Sequence, residues 1–146
     1  MHRRVVVAVL LAVLALGVAS CGSSETTVTR AQLVSRIESA CRVAQRTAQR
    51  RLSTARGSGA VLAEALVTYQ RYVLARVEHV KVSDAAAQSD LTAVKQAGRA
   101  RLAIVERARA AGANAQRAIN AVQAQTEAVT RRLTAALRDL GVEGCA

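Results

Sequence analysis

The chain contains no Pro, no Phe and no Trp, and its only aromatic residues are Tyr69 and Tyr72. Each gap closes off a class of protein. Without aromatic platforms, modules that bind nucleic acid by stacking bases on side chains are excluded. With eight Gly and no Pro in 146 residues, the turn punctuation that separates the many short strands of a sandwich or barrel is missing. Histidine is equally scarce, with His2 near the start and His79 in the body of the chain. No multi-histidine metal centre can be built from that stock. What is present is an apolar fraction of 51% drawn almost entirely from Ala, Val, Leu and Ile. The length suits one domain, and helix is the expected structure.

Arg3 and Arg4 precede Val5–Val18, a 14-residue apolar run interrupted only by Gly17. Positive charge, apolar run and then small residues is the order of an export signal. Fourteen helical residues reach about 21 Å, short of the ~30 Å hydrocarbon core, so the run reads as a cleaved signal rather than a permanent span. Its end, Val18-Ala19-Ser20-Cys21, resembles the lipobox of bacterial lipoproteins, where an aliphatic residue and two small ones precede a cysteine. The resemblance implies that the Cys21 thiol takes a diacylglyceryl thioether and that Cys21 becomes the first residue after cleavage. It also implies attachment to the cell membrane on its extracytoplasmic face. Each buried CH₂ contributes roughly 0.8 kcal/mol, so two or three acyl chains hold a domain on a membrane durably. Residues 1–20 are read as the signal peptide, 21–28 as a flexible tether of mostly small and polar residues, and 29–146 as a helical domain.

Cleavage leaves 126 residues with a net charge of +9. Of the 21 basic residues in the whole chain, 19 are Arg, and Ala and Val are also abundant, as a GC-rich genome writes with little selection. An exported domain is out of reach of nucleic acid. The acidic partners it meets are anionic lipid headgroups or charged cell-wall polymers. No protein partner is written in the sequence.

Four amphipathic segments follow. Thr29 and Gln32 have capping-box spacing, and apolar positions then recur at Leu33, Ile37, Ala40/Cys41, Ala44 and Ala48. Arg42, Arg46 and Arg50 recur every four residues on the opposite side, and the stretch from Arg30 to Arg56 holds seven Arg against the single Glu38. This is a solvated face or a surface for an anionic partner. After Gly57-Ser58-Gly59, the positions Leu62, Leu66 (or Ala65), Tyr69, Val73, Val77 (or Arg76) and Val80 form a second stripe, with Tyr72 half exposed beside it. Val80-Lys81-Val82 marks a break, with Ser83 or Ser89 as the next N-cap. Leu91, Val94, Gly98, Leu102, Val105 and Ala108 trace a third helix. Ala115, Ile119, Val122, Val129, Leu133, Leu137 and Leu140 trace a fourth, ended by Gly141. Residues 90–140 keep a seven-residue period without a slip, so periodicity alone allows either one long rod or a turn at Gly112-Ala113-Asn114.

The cysteines separate these alternatives. With Cys21 lipidated, Cys41 and Cys145 remain as an even pair in an oxidising compartment, and they are expected to be bonded. A single rod over 90–140 carries Cys145 tens of Å beyond Cys41, whereas a disulfide needs Cα atoms within about 7 Å. A turn near Gly112 brings the last helix down beside the first. The expected fold is therefore an all-α, up-down-up-down four-helix bundle closed by the Cys41–Cys145 disulfide. The opening cysteine pattern and the closing Leu140-Gly141-Val142-Glu143-Gly144-Cys145 also resemble small helical lipoproteins of high-GC Gram-positive bacteria, which implies location and architecture only.

The inventory holds no catalytic set. His79 sits beside Glu78 near a helix end, Asp84, Asp90, Glu64 and Glu78 lack ligand spacing, and Gly57-Ser58-Gly59 lacks the Lys of a phosphate loop. No enzyme activity, no metal and no cofactor is expected. The expected role is binding or structural, through the basic first helix with Arg42, Arg46 and Arg50 against anionic lipids or wall polymers. The alternative is a carrier that holds an apolar or amphiphilic ligand between helices, with Gly98, Gly112 and the many Ala leaving room. Thr126, beside Gln125, falls on the stripe of the fourth helix, either satisfied within the seam or lining a small pocket.

Overall fold

A computed structural model describes residues 25–54 and 58–145. The signal segment 1–20, Cys21 and the first part of the tether lie outside the described residues. The described residues are mostly helical, in five helices, with one small parallel strand pair among them. In chain order these are β1 (Thr26–Val28), α1 (Arg30–Thr54), α2 (Gly59–Val77), β2 (Val80–Val82), α3 (Ala85–Ala110), α4 (Ala115–Ala121) and α5 (Gln123–Leu140). A 3-10 turn at Gly112–Asn114 joins α3 to α4. Among the described residues no helix is long and apolar enough to cross a membrane.

The strand pair corrects the purely helical expectation and part of the tether. Thr26, Thr27 and Val28 pair in parallel with Val80, Lys81 and Val82. Thr26 N–H donates to the His79 carbonyl, and Ser83 N–H to that of Val28. Polar composition places Thr26–Val28 in a linker, yet Thr and Val favour extended backbone, and Val80–Val82 offers them an unpaired edge. Val28, Val80 and Val82 turn inward to the core, so the pair closes one end of the molecule.

Local chemistry sets the helix boundaries. Thr29 and Gln32 form the reciprocal box: Gln32 N–H donates to Thr29 Oγ1 at 3.2 Å, and Thr29 N–H to Gln32 Oε1 at 2.9 Å. Ser58 caps α2 by accepting from Val61 N–H. Asp84, rather than Ser83 or Ser89, caps α3, its Oδ1 accepting from Ala87 N–H at 2.7 Å. Ser83 is still engaged with β1, which leaves Asp84 as the first residue free to cap.

The chain turns at Gly112, whose φ is +54°, so residues 90–140 are not one rod. The expected fourth helix is itself divided at Val122, whose φ of −107° and ψ of 13° leave the helical region. That break lets α4 lie against α2 and α3 while α5 runs along α3. At the end of α5, Gly141 adopts a φ of +89°. Gly141 N–H then reaches the Arg138 carbonyl and Val142 N–H that of Leu137, a Schellman ending. Val142 packs into the core, and three residues later Cys145 is bonded to Cys41, with Cα atoms 5.4 Å apart.

The core runs through Leu33, Ile37, Cys41, Val77, Leu91, Val94, Leu133, Leu137 and Leu140. On α2 the expected stripe is met at Val77 and at Ala65, the alternative to Leu66, and displaced elsewhere. The fully buried positions are Ala63, Ala65, Val67, Gln70, Leu74 and Val77, while Leu62, Leu66, Tyr69 and Val73 are half-buried. α2 packs against both α1 and α3, so more than one face is covered, and the most deeply covered one includes the polar Gln70. Gly98 meets this face: a Cβ there would stand 2.8 Å from Leu74 Cδ2 and 3.3 Å from Gln70 Nε2. The missing side chain lets α3 approach α2 rather than leaving room for a ligand, and the space beside it is only about 20 Å³, enough for one water.

Candidate functional site

The basic segment expected to be the interaction surface is α1, and the structure divides its arginines into those that hold the fold and those that face solvent. Arg30 holds the fold. Its Nε donates to the Leu140 carbonyl at 3.1 Å and its Nη2 to that of Asp139, supplying a cation and donors to the C-terminus of α5. Arg51 turns to α2, bonding Thr68 Oγ1 and standing 3.9 Å from Glu64. Arg42, Arg46 and Arg50 are exposed. Arg42 lies 3.8 Å from Glu38, and Arg46 and Arg50 donate Nε to the backbone carbonyl one turn back. The outer guanidinium nitrogens of Arg46 and Arg50 remain open to solvent partners.

Arg36 belongs to a different arrangement, which the four-residue Arg series does not reveal. It lines an open groove of about 710 Å³ between α1 and α2, together with Ala31, Gln32, Ser35, Ser39, Ala40, Tyr72 and Arg76. α1 supplies one wall with Gln32, Ser35, Arg36 and Ser39, and α2 supplies the other with Tyr72 and Arg76. Arg76 is fixed by the residue one turn before it: its Nη2 donates to Tyr72 Oη at 3.1 Å, and its guanidinium carbon lies 4.9 Å from the ring centroid. Among the described residues no carboxylate lines the groove. Glu25, Glu38, Glu64, Glu78 and Glu106 are all engaged with Lys81, Arg42, Arg51, Arg109, Arg99 and Arg71 elsewhere. The sequence signal for this site is the Tyr72/Arg76 spacing of four, which puts the ring and the cation on one helix face.

A second, more apolar groove of about 370 Å³ opens over Leu52, Leu62, Leu66, Tyr69 and Arg101. Burial raises the Tyr69 phenol above its ordinary 10.0, and the Arg101 charge opposes this by lowering it. Near the strand pair, Lys95 Nζ donates to the carbonyls of Glu78 and Val80, both at 2.9 Å. Desolvation lowers the Lys95 ammonium below 10.5, partly opposed by the Glu78 charge.

The remaining candidates are dispersed. His79 is exposed just beyond α2. Thr126 is half-buried and its hydroxyl donates to the Val122 carbonyl, while Gln125 is exposed, so this pair lines no pocket wall of its own. Among the described residues no group of three or more His, Cys, Asp or Glu side chains gathers as a metal ion requires. Comparison with family models, with curated proteins and with solved structures finds no match to this chain.

Proposed function

We propose that this chain is a lipoprotein of the cell envelope, anchored through an acylated Cys21 on the extracytoplasmic face of the membrane, and that its basic α1 face works against the anionic surface beside the anchor. The observation that carries the reading is the exposure of Arg42, Arg46 and Arg50 in a row, with Glu38 the one carboxylate in an ion pair with them among the described residues. Gln32, Ser39 and Arg46 are seven residues apart and share one line along α1, so the open groove and the arginine row form one polar flank. The proposed role is binding or structural.

The proposed architecture is an up-down-up-down bundle whose fourth rod comprises α4 and α5. Several contacts support it. Arg30 at the start of α1 meets the end of α5, and the parallel strands bring the start of α1, the end of α2 and the start of α3 together. At the opposite end, Gly59 of α2 meets Gln116 of α4.

The test uses the mature chain from residue 21 with Ser in place of Cys21, since the core and the disulfide lie wholly between residues 25 and 145. Arg42→Glu, Arg46→Glu and Arg50→Glu together are expected to abolish its salt-sensitive binding to anionic vesicles. Unchanged, salt-insensitive binding rejects the surface role. Labelling of the native protein with a palmitate analogue tests the anchor separately, and an unlabelled product of full length rejects it.

A second reading is favoured by the apolar groove over Leu52, Leu62, Leu66 and Tyr69, which has the size and lining for an acyl chain or other amphiphile. Native mass spectrometry of the protein from its host is expected to show a bound lipid if the chain is a carrier, and a clean unliganded mass rejects that reading.

A further inference from the structure

We propose that the groove between α1 and α2 is a binding site for a phosphorylated polyol, held by Arg36 and Arg76 at the phosphate and by Gln32, Ser35, Ser39 and Tyr72 at the hydroxyl groups. The ligand is either the headgroup of an anionic glycerolipid or the free polyol phosphate. The lipid source rests on the anchored reading given above, whereas the phosphate chemistry rests on the groove alone.

Charge is the first argument. The groove presents one guanidinium from each wall and no carboxylate, and among the described residues neither Arg36 nor Arg76 is in an ion pair. Two arginines with no acidic partner raise the local potential in a concave surface and attract an anion. The guanidinium fork suits phosphate oxygens, which accept two parallel N–H bonds. Arg76 is already oriented by the Tyr72 ring and hydroxyl, so less freedom is lost when the anion arrives.

Hydroxyl chemistry is the second. In this molecule helical Thr47, Thr92 and Thr126 turn their hydroxyls back to the carbonyl four residues earlier. Ser35 and Ser39 make no such bond among the described residues, although both line the groove. Their hydroxyls, the Gln32 Nε2 donors, whose neighbouring Oε1 is held by Thr29 N–H, and the Tyr72 proton that Arg76 leaves unused are groups suited to a polyol. Only Ala31 and Ala40 are apolar in the lining, so an acyl tail has no seat there.

Position is the third. Ala31 and Gln32 stand in the first turn of α1 and Arg76 in the last turn of α2, so the groove lies next to the strand pair. Four residues separate Cys21 from Thr26, and the five steps between them span at most about 18 Å when extended. A headgroup in the leaflet that holds the anchor is thus within reach of both arginines.

The experiment titrates the native acylated protein, in neutral-detergent micelles, with glycerol 1-phosphate, inositol 1-phosphate and inorganic phosphate. Calorimetry gives affinity, and tyrosine emission reports on the groove because Tyr69 and Tyr72 are the only aromatic residues. Saturable binding of at least one polyol phosphate is expected, tighter than that of inorganic phosphate. Arg36→Gln and Arg76→Gln are each expected to weaken it about tenfold or more, while Arg131→Gln on α5 leaves it unchanged. The Ser35→Ala/Ser39→Ala double variant, which removes no contact of the fold, is expected to weaken the polyol phosphate but not inorganic phosphate. Competition by phosphatidylglycerol in the micelle identifies the lipid source, and binding without competition identifies the free one. The proposal is overturned if no polyol phosphate saturates, if inorganic phosphate binds as tightly, or if both arginine variants bind like the native chain. The mass of residue 21, read on the same sample, decides the anchor independently of these outcomes.

Discussion

Gly59, the first residue of α2, lies against the backbone of Gln116 in α4 so closely that a Cβ on it would stand 2.8 Å from both the Gln116 nitrogen and its Cβ. Backbone in a helix cannot give way as a side-chain tip can, so this contact fixes the distance between the two elements at the end of the molecule far from the strands. Gly59→Ala is expected to destabilise the fold by about 1–3 kcal/mol, as overpacking does. For a domain of this size that lowers the thermal midpoint by roughly 3–15 °C, measurable by circular dichroism.

The disulfide closes a separation of 104 residues. In the chain-entropy model a loop of that length contributes about 4–5 kcal/mol by restricting the unfolded state. Cys145→Ser is expected to lose that amount in urea unfolding, with the native helical content retained at low denaturant. Thiol counting on the denatured, unreduced native protein is expected to find no reactive thiol at Cys41 or Cys145.

Arg30 supplies side-chain donors to the last carbonyls of α5. Arg30→Met keeps the aliphatic stem and removes the donors, and is expected to cost about 1–2 kcal/mol. Arg30→Lys restores the charge but not the paired geometry, and so recovers only part of the loss. The same change should speed hydrogen exchange at Val142 N–H, whose acceptor lies in that turn.

Two groups give the alkaline range opposite slopes. Lys95 has its ammonium lowered below 10.5 by desolvation. Between its folded value and 10.5 the unfolded chain holds more protons, so Lys95 makes stability rise with pH in that window. Tyr69 is raised above 10.0 by burial. Between 10.0 and its folded value the folded chain holds more protons, so Tyr69 makes stability fall as pH rises. Tyr69→Phe is expected to remove the fall and Lys95→Met the rise, each read from urea midpoints across pH 8 to 12, a range taken about the ordinary values of these side chains. In Tyr72→Phe, the phenolate absorbance of Tyr69 should appear above pH 10.0.

Much of this molecule is legible along the chain because its signals are local. The Thr29/Gln32 box, the Gly112 turn, the Gly141 ending and the Cys41–Cys145 pair each depend on residue type and spacing, and each stands in the structure. The strand Thr26–Val28 is illegible because its partner is more than fifty residues away, and three residues carry no period. The stripe on α2 is legible only at Ala65 and Val77, because a helix between two neighbours buries more than one face and Gln70 hides the deeper one from a hydrophobic pattern. The groove needs two helices at once. Arg36 and Arg76 are forty residues apart in sequence, and nothing in either segment alone shows that they share a hollow.

The parallel pairing of Thr26–Val28 with Val80–Val82 has a mechanical consequence. A pull on the segment before Glu25 enters the molecule at Thr26 and runs along β1, crosswise to the hydrogen bonds that hold it. These bonds must yield together instead of opening one after another like a zip. Tension passes sideways into the junction of α2 and α3 before it can uncoil α1, and the covalent link at Cys41 stops any unravelling of that helix about a dozen residues in. Under the proposed anchoring at Cys21, the domain is in this way protected against shear where it is held.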